Sequence, residues 1–260
     1  ILYRLVGSEM CIRDRADREK FFNHIKKLNL RNSIFVDNTA SEEIAEEYVS
    51  YLKNSIGVVT CNKIACASSL KNYNNLKKTA RRFVTPFLFE TNVGAALPII
   101  DTLNNLIASG DKILEIQAIL SGSLNYIFNN YKLNTTFKNI VQKAQKEGYT
   151  EPDPKIDLSG IDVARKILIL GRESGFKLEL DDITNNSFIP EEVLKSNNND
   201  ELYKSIDRNE NHFRSILESA IKKNKRLKYV AELKNGKASV GLREIDENHS
   251  FYNLKGSDNI

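Results

Sequence analysis

The chain has 260 residues, with 38 basic against 34 acidic side chains and a formal net charge of +4, enough length to bury one large core or two small ones. The positive excess is thin and scattered, which argues against a nucleic-acid partner, and no apolar run approaches the ~18 residues of a membrane span. Three cysteines (Cys11, Cys61, Cys66) without ligand spacing and three separated histidines (His24, His212, His249) fit a reducing cytoplasm and exclude a His-centred metal site or triad.

Residues 1–15 lack any amphipathic period, and Leu5 to Arg15 resembles a translated sequencing adapter, so this stretch is read as a non-native extension. A helix is expected from Ala16 to Leu28, with Phe21, Phe22, Ile25 and Leu28 at helical spacing. Ile34-Phe35-Val36 reads as a buried strand. A helix from Ser41 to Lys53 follows, opened by a serine cap and a glutamate-rich first turn. Gly57-Val58-Val59-Thr60 is the next strand, then a helix from about Ser68 to Arg82, then a strand at Phe87-Leu88-Phe89. Lys71, Lys77, Lys78, Arg81 and Arg82 are read as the solvated face of that helix rather than as a nucleic-acid surface.

Strands alternating with helices predict a parallel α/β sheet, whose ligands bind beyond the carboxyl ends of the strands. Asn38-Thr39 and Asn62-Lys63 stand at two such ends. Lys63 suits a phosphate or a substrate oxyanion. For Thr39 taken alone, capping the next helix is the better reading.

Gly94 to Leu97 leads into a helix from Pro98 to about Ser109, ended by Gly110-Asp111. Ile113 to Leu120 reads as a strand, and Ser121-Gly122-Ser123 opens a helix carrying Leu124, Ile127, Phe128 and Tyr131. A helix from Asn134 to Gly148 follows. Leu178 to Ile183 and the asparagines around Asn197 look like connecting structure. Glu210 to Lys223 is helical, and Arg226 to Glu232 with Ala238 to Arg243 form a hairpin about Asn235-Gly236.

Between these lies the most informative stretch, Gly148 to Lys166. Glu151 and Asp153 each precede a proline, which holds both in extended geometry. Ser159 and Asp162 have the spacing of a capping box, so a helix is expected to open at Ser159. Past that point Asp162 and Lys166 share one face, while Ile161, Val163, Ala164, Ile167, Leu168 and Leu170 cover more than half the circumference and Ile169 interrupts the polar side. A surface ion pair worth roughly 0.3–0.5 kcal/mol is the plain alternative. A rigid acidic loop delivered beside an Asp/Lys pair favours a site.

Thr150 to Lys166 resembles the signature of the homoserine dehydrogenases. Glu90-Thr91-Asn92-Val93-Gly94-Ala95-Ala96-Leu97-Pro98 and Leu120 to Tyr126 are similar to the same family, in its bifunctional aspartokinase–homoserine dehydrogenase form. The resemblance implies a Rossmann-like nucleotide domain over residues 16–90, then an α+β catalytic and dimerisation domain over 91–260. It implies an NAD(P)-dependent oxidoreductase of the cytoplasm that interconverts L-homoserine and L-aspartate 4-semialdehyde in threonine and methionine biosynthesis, working as a homo-oligomer. Lys166 would be the general acid/base, which requires burial to lower its pKa. Glu151, Asp157 and Asp162 would bind substrate. Thr39 and Lys63 would contact NAD or NADP, Lys63 lying between cofactor and substrate. Glu90 and the backbone oxygens of Val93, Ala95 and Leu97 would hold a monovalent cation, sodium. Cys61 replaces the usual proline, Ile64 a second lysine, and Ala96 a glycine. No G-x-G-x-x-G occurs, so the chain is expected to begin inside the nucleotide domain and to end before a closing helix, which speaks against activity of the fragment by itself. A catalytically silent dimerisation or regulatory piece is the alternative function.

Overall fold

A computed structural model describes residues 17–255; the stretch read as a non-native extension, 1–15, lies outside them. The chain divides into two compact units, residues 1–106 and 107–260.

In the first unit, α1 (Arg18–Leu28) is capped by the Asp17 carboxylate on the Lys20 N–H. Then come β1 (Ile34–Asp37), α2 (Glu42–Glu46), α3 (Tyr48–Lys53), β2 (Gly57–Thr60), α4 (Ile64–Ala67), α5 (Leu70–Arg82) and β3 (Phe87–Leu88). The three strands are parallel in the order β1-β2-β3, with Phe35 opposite Val58 and Val58 opposite Phe87. The single helix expected over Ser41 to Lys53 is broken at Glu47, which ends α2 and starts α3, although Ser41 caps it as predicted. Past the break, Tyr48, Tyr51 and Leu52 share one face of α3 and all reach the core with no exposure. Phe35 stacks on Tyr51 with 4.1 Å between ring centroids. A 3-10 turn at Glu90–Asn92 and helix α6 (Ile99–Ala108) follow.

The second unit contains β4 (Glu115–Ala118), α7 (Gly122–Asn130), α8 (Phe137–Lys146), α9 (Pro154–Leu158), α10 (Ile161–Glu173), β5 (Ile183–Asn186), α11 (Glu191–Leu194), α12 (Asn199–Arg208), α13 (Glu210–Lys222), β6 (Arg226–Lys234) and β7 (Lys237–Ile245). The sheet order is β4-β6-β7-β5, antiparallel except for β5 against β7. The β6–β7 turn has Asn235 at φ 51° and Gly236 at φ 76°, the left-handed pair that a type I′ turn needs. Helix α10 packs on this sheet, and Gly171 lets Leu178 and Leu233 come within contact of its backbone.

Two readings of this unit need correction. Ser159 does not open α10: it ends α9, a short helix capped by Asp153 with Pro154 in its first turn, and Gly160 at φ 72° starts α10. The asparagine-rich segment is not mere connection, because Asn198 accepts the Glu201 N–H and caps α12.

Candidate active site

The acidic stretch is organised by hydrogen bonds on both sides of its prolines. Asp153, held extended before Pro154, accepts the Lys155 N–H and starts α9. That helix presents Asp157 back towards the loop. Asp157 Oδ2 accepts the Glu151 N–H at 2.9 Å, and its Oδ1 accepts the Ser123 hydroxyl at 2.7 Å. Ser123 is buried and lies 2.9 Å from Ser121 Oγ, the cap of α7. Burial pushes the Asp157 carboxyl above its ordinary 3.8; the Ser123 and Glu151 hydrogen bonds pull it down, and the charges of Glu151 and Asp162 raise it again.

One helical turn past Gly160, Asp162 and Lys166 meet on α10. Lys166 Nζ stands 2.8 Å from Asp162 Oδ2 and donates to the Leu120 carbonyl at 2.7 Å. Two of the three ammonium protons are thereby engaged among the described residues. The lysine side chain is 17% exposed and that of Asp162 is 38% exposed. Ile169, the residue that interrupts the polar side, is fully buried, as are Ile167 and Leu168. The pair therefore sits at the edge of a packed helix and not on a solvated face. Glu151 is exposed at the tip of the loop.

In the first unit, the carboxyl ends of β1 and β2 carry the other predicted residues. The Thr39 hydroxyl accepts the Ser41 N–H at 3.1 Å, and the Thr39 N–H donates to Asp37 at 2.7 Å. Thr39 therefore does not cap the next helix itself: Ser41 does, and Thr39 holds the backbone of that cap residue. Lys63 directly precedes α4 and is partly exposed.

The Glu90 carboxylate is not bare. Its two oxygens accept the N–H groups of Ile100 and Asp101 at 2.7 and 2.8 Å and so cap α6. Of the three carbonyls expected beside it, that of Leu97 accepts the Ile99 N–H at 2.9 Å. The backbone freedom looked for at Ala96 is needed one and two residues earlier, at Ala95 (φ 50°) and Gly94 (φ 83°). A side chain at Gly94 would bring its Cβ to 2.6 Å from Ile99 Cγ1.

Two family models cover these residues: one described as "Homoserine dehydrogenase" matches residues 98–260, and one described as "Homoserine dehydrogenase, NAD binding domain" matches residues 10–90. The chain belongs to the homoserine dehydrogenase family. It is 42% identical over 248 residues to a chloroplastic bifunctional aspartokinase/homoserine dehydrogenase of Zea mays, aligning over 94% of itself and 27% of that protein. It is 41% identical over 236 residues to a Schizosaccharomyces pombe homoserine dehydrogenase, over 88% of itself and 63% of the relative. A crystal structure of a Candida auris protein of unknown function superposes with a TM-score of 0.87 at 33% identity, covering 94% of this chain and 70% of the other. The chain thus spans only part of the length of these curated relatives.

Within this chain, the structure brings Asp162 to Lys166 directly and Asp157 to the backbone of Glu151. Two participants escaped the residue-by-residue reading, the Leu120 carbonyl and Ser123. Ser123 stood in a recognised motif, Leu120 to Tyr126, but nothing in the sequence shows that its hydroxyl crosses 34 positions to Asp157. A carbonyl oxygen carries no sequence signal at all.

Proposed function

We propose that the chain carries the substrate-handling groups of a homoserine dehydrogenase, the reversible NAD(P)-dependent interconversion of L-homoserine and L-aspartate 4-semialdehyde. The observation that carries this reading is Lys166, held by the Leu120 carbonyl and the Asp162 carboxylate at the rim of a packed helix. A bound nicotinamide nucleotide supplies or accepts the hydride. The chain must then orient the substrate and move one proton. In reduction Lys166 gives its remaining proton to the aldehyde oxygen, and in oxidation the amine takes the hydroxyl proton. Asp162 fixes the lysine and, with Glu151 on the loop, presents negative charge to the substrate ammonium. Asp157 keeps Glu151 in place through the backbone.

Lys63 and Thr39, at the carboxyl ends of parallel strands, are assigned to the nucleotide. Glu90, with the carbonyls of Val93, Ala95 and Leu97, would hold a monovalent cation such as sodium. An all-oxygen donor set suits a hard ion, and each oxygen already in a hydrogen bond keeps a further lone pair.

The test is the 260-residue chain incubated with L-homoserine and NAD+ or NADP+, followed by absorbance of the reduced nucleotide. Turnover lost in Lys166→Met is expected. A folded chain that turns over with neither nucleotide would sink the reading.

A further inference from the structure

Beneath Thr39 and Lys63 lies a buried polar hub that the chemistry above does not use. Asp37, the last residue of β1, is 1% exposed. Its Oδ1 accepts the Thr39 N–H at 2.7 Å. Its Oδ2 accepts the Tyr48 hydroxyl, in a short hydrogen bond, and the Asn62 side-chain amide at 3.1 Å. The Tyr48 oxygen is 2.8 Å from Thr60 Oγ1, which also accepts the Asn62 N–H at 2.8 Å. A tyrosine proton committed to Asp37 leaves Thr60 to donate to Tyr48, so the donors run in one direction towards the carboxylate. Burial and the hydrogen bond to Asp37 together push the Tyr48 hydroxyl well above its ordinary range, which keeps that proton in place.

Asn62 extends the hub into the second loop. Its amide also donates to the Ser41 carbonyl at 2.9 Å, and its Oδ1 accepts the Ile64 N–H at 3.1 Å. One carboxylate therefore ties the backbone of residues 37–41 to that of residues 60–64. These are the two strand-end loops that carry Thr39 and Lys63. A structural carboxylate in this place could be replaced by an apolar residue of similar volume only by leaving three donors without an acceptor, each costing about 1–3 kcal/mol.

We infer that Asp37 is a positioning residue, locking the loops after β1 and β2 in register so that Thr39 and Lys63 are presented together to the nucleotide. Asp37's link to loop order stands on geometry alone. Its link to nucleotide binding rests on the NAD(P) assignment proposed above.

The test compares the 260-residue chain with its Asp37→Asn and Tyr48→Phe variants by amide hydrogen exchange and by NADPH and NADH fluorescence titration. An asparagine can still accept from Thr39 but turns an NH2 towards the Asn62 amide, so the second loop should loosen first. In Asp37→Asn the Ile64 amide is expected to exchange about tenfold faster, with Val58 unchanged, and the nucleotide Kd to rise about tenfold. Tyr48→Phe keeps the ring packed and removes one donor, so a smaller rise at the same amides is expected. It decides the matter if Asp37→Asn does not fold. Unchanged Ile64 exchange overturns the inference, as does equal loss of protection at Val58, which marks a merely structural carboxylate. Faster exchange without any change in Kd overturns the nucleotide half. If the unaltered chain binds neither NADPH nor NADH, the nucleotide assignment fails and that half with it, while the exchange result still decides the role of Asp37 in ordering the loops.

Discussion

Lys166 Nζ and Asp162 Oδ2 stand 2.8 Å apart, one turn from each other on α10, and the Leu120 carbonyl holds the same ammonium from a different element. An exposed i,i+4 pair would hold the lysine loosely. Here a carbonyl before α7 fixes its direction, and the packing of α10 leaves the lysine side chain only 17% exposed. Loss of a positioned general acid/base lowers turnover by about 10²–10⁴-fold. Lys166→Met is therefore expected to drop kcat by at least about a hundredfold without lowering the melting temperature of the second unit. Asp162→Asn should fall by less in kcat and rise in KM, because it keeps a hydrogen-bonding group beside the lysine but removes charge from the amine-binding side. Steady-state kinetics on the two variants separates these effects; equal losses in both would remove the distinction of roles.

Asp157 acts differently, as a strut between Ser123 and the Glu151 backbone. Asp157→Ala leaves one buried hydroxyl and one loop N–H without their acceptor, about 1–3 kcal/mol of local order. It is expected to raise KM for homoserine about tenfold with a smaller change in kcat. The titration gives a second check. Burial raises the Asp157 pKa in the folded chain above its ordinary 3.8, so the folded state keeps a proton that the unfolded state has lost. This contribution to stability is full below 3.8 and disappears as the pH rises through the folded value. Urea denaturation of wild type and Asp157→Asn between pH 3.5 and 7 should therefore show wild type losing stability relative to the variant as pH rises. A constant difference would mean that the group does not titrate differently on folding.

Much of this arrangement could be read before any coordinates. The βα alternation of the first unit follows from short apolar strands such as Gly57-Val58-Val59-Thr60, and the acidic loop follows from two X-Pro steps. What escaped was set by competition between neighbouring caps or by long-range partners. Ser159 had the spacing of a cap for α10, but Asp153 and Pro154 nucleate a helix first and make Ser159 its end. Thr184, Asn185 and Asn186 carry almost no apolar signal because β5 exposes them, so only pairing with β7 reveals the strand. The cap that Glu90 places on α6 escaped because its two N–H partners lie ten and eleven residues away.

Gly160 occupies a left-handed backbone position against the Tyr229 ring. It sits at φ 72°, and a Cβ there would lie 2.0 Å from Tyr229 Oη and 2.9 Å from Tyr229 Cζ. Gly160→Ala combines a left-handed backbone penalty of about 1–2 kcal/mol with displacement of a buried ring. We expect a loss of stability above about 2 kcal/mol, with activity reduced through movement of α10 and Lys166. Tyr229→Phe in the same background removes the 2.0 Å clash but leaves the ring carbon, so rescue should be partial. Chemical denaturation of the single and double variants measures both, and full rescue would show that the backbone penalty is negligible.

Lys228 is a fully buried lysine on β6. Its Nζ donates to Asn125 Oδ1 at 3.2 Å, Asn129 Oδ1 at 2.7 Å and the Leu254 carbonyl at 2.5 Å. Burial, with smaller help from the charges of Arg226 and Lys132, pushes its pKa down from 10.5 to about 8. Between those two pH values the unfolded chain binds a proton that the folded chain does not. The contribution to stability is therefore full above 10.5 and is lost as the pH falls through about 8. Its size is on the order of 3 kcal/mol. Lys228→Met cannot titrate and leaves three acceptors without their donor, so it should be less stable overall and flatter against pH. Unfolding free energies of the two proteins measured at pH 7, 8, 9 and 10 give the difference directly. Wild type should gain on the variant steadily above about pH 8. Parallel curves would show that the buried amine keeps its ordinary affinity for the proton.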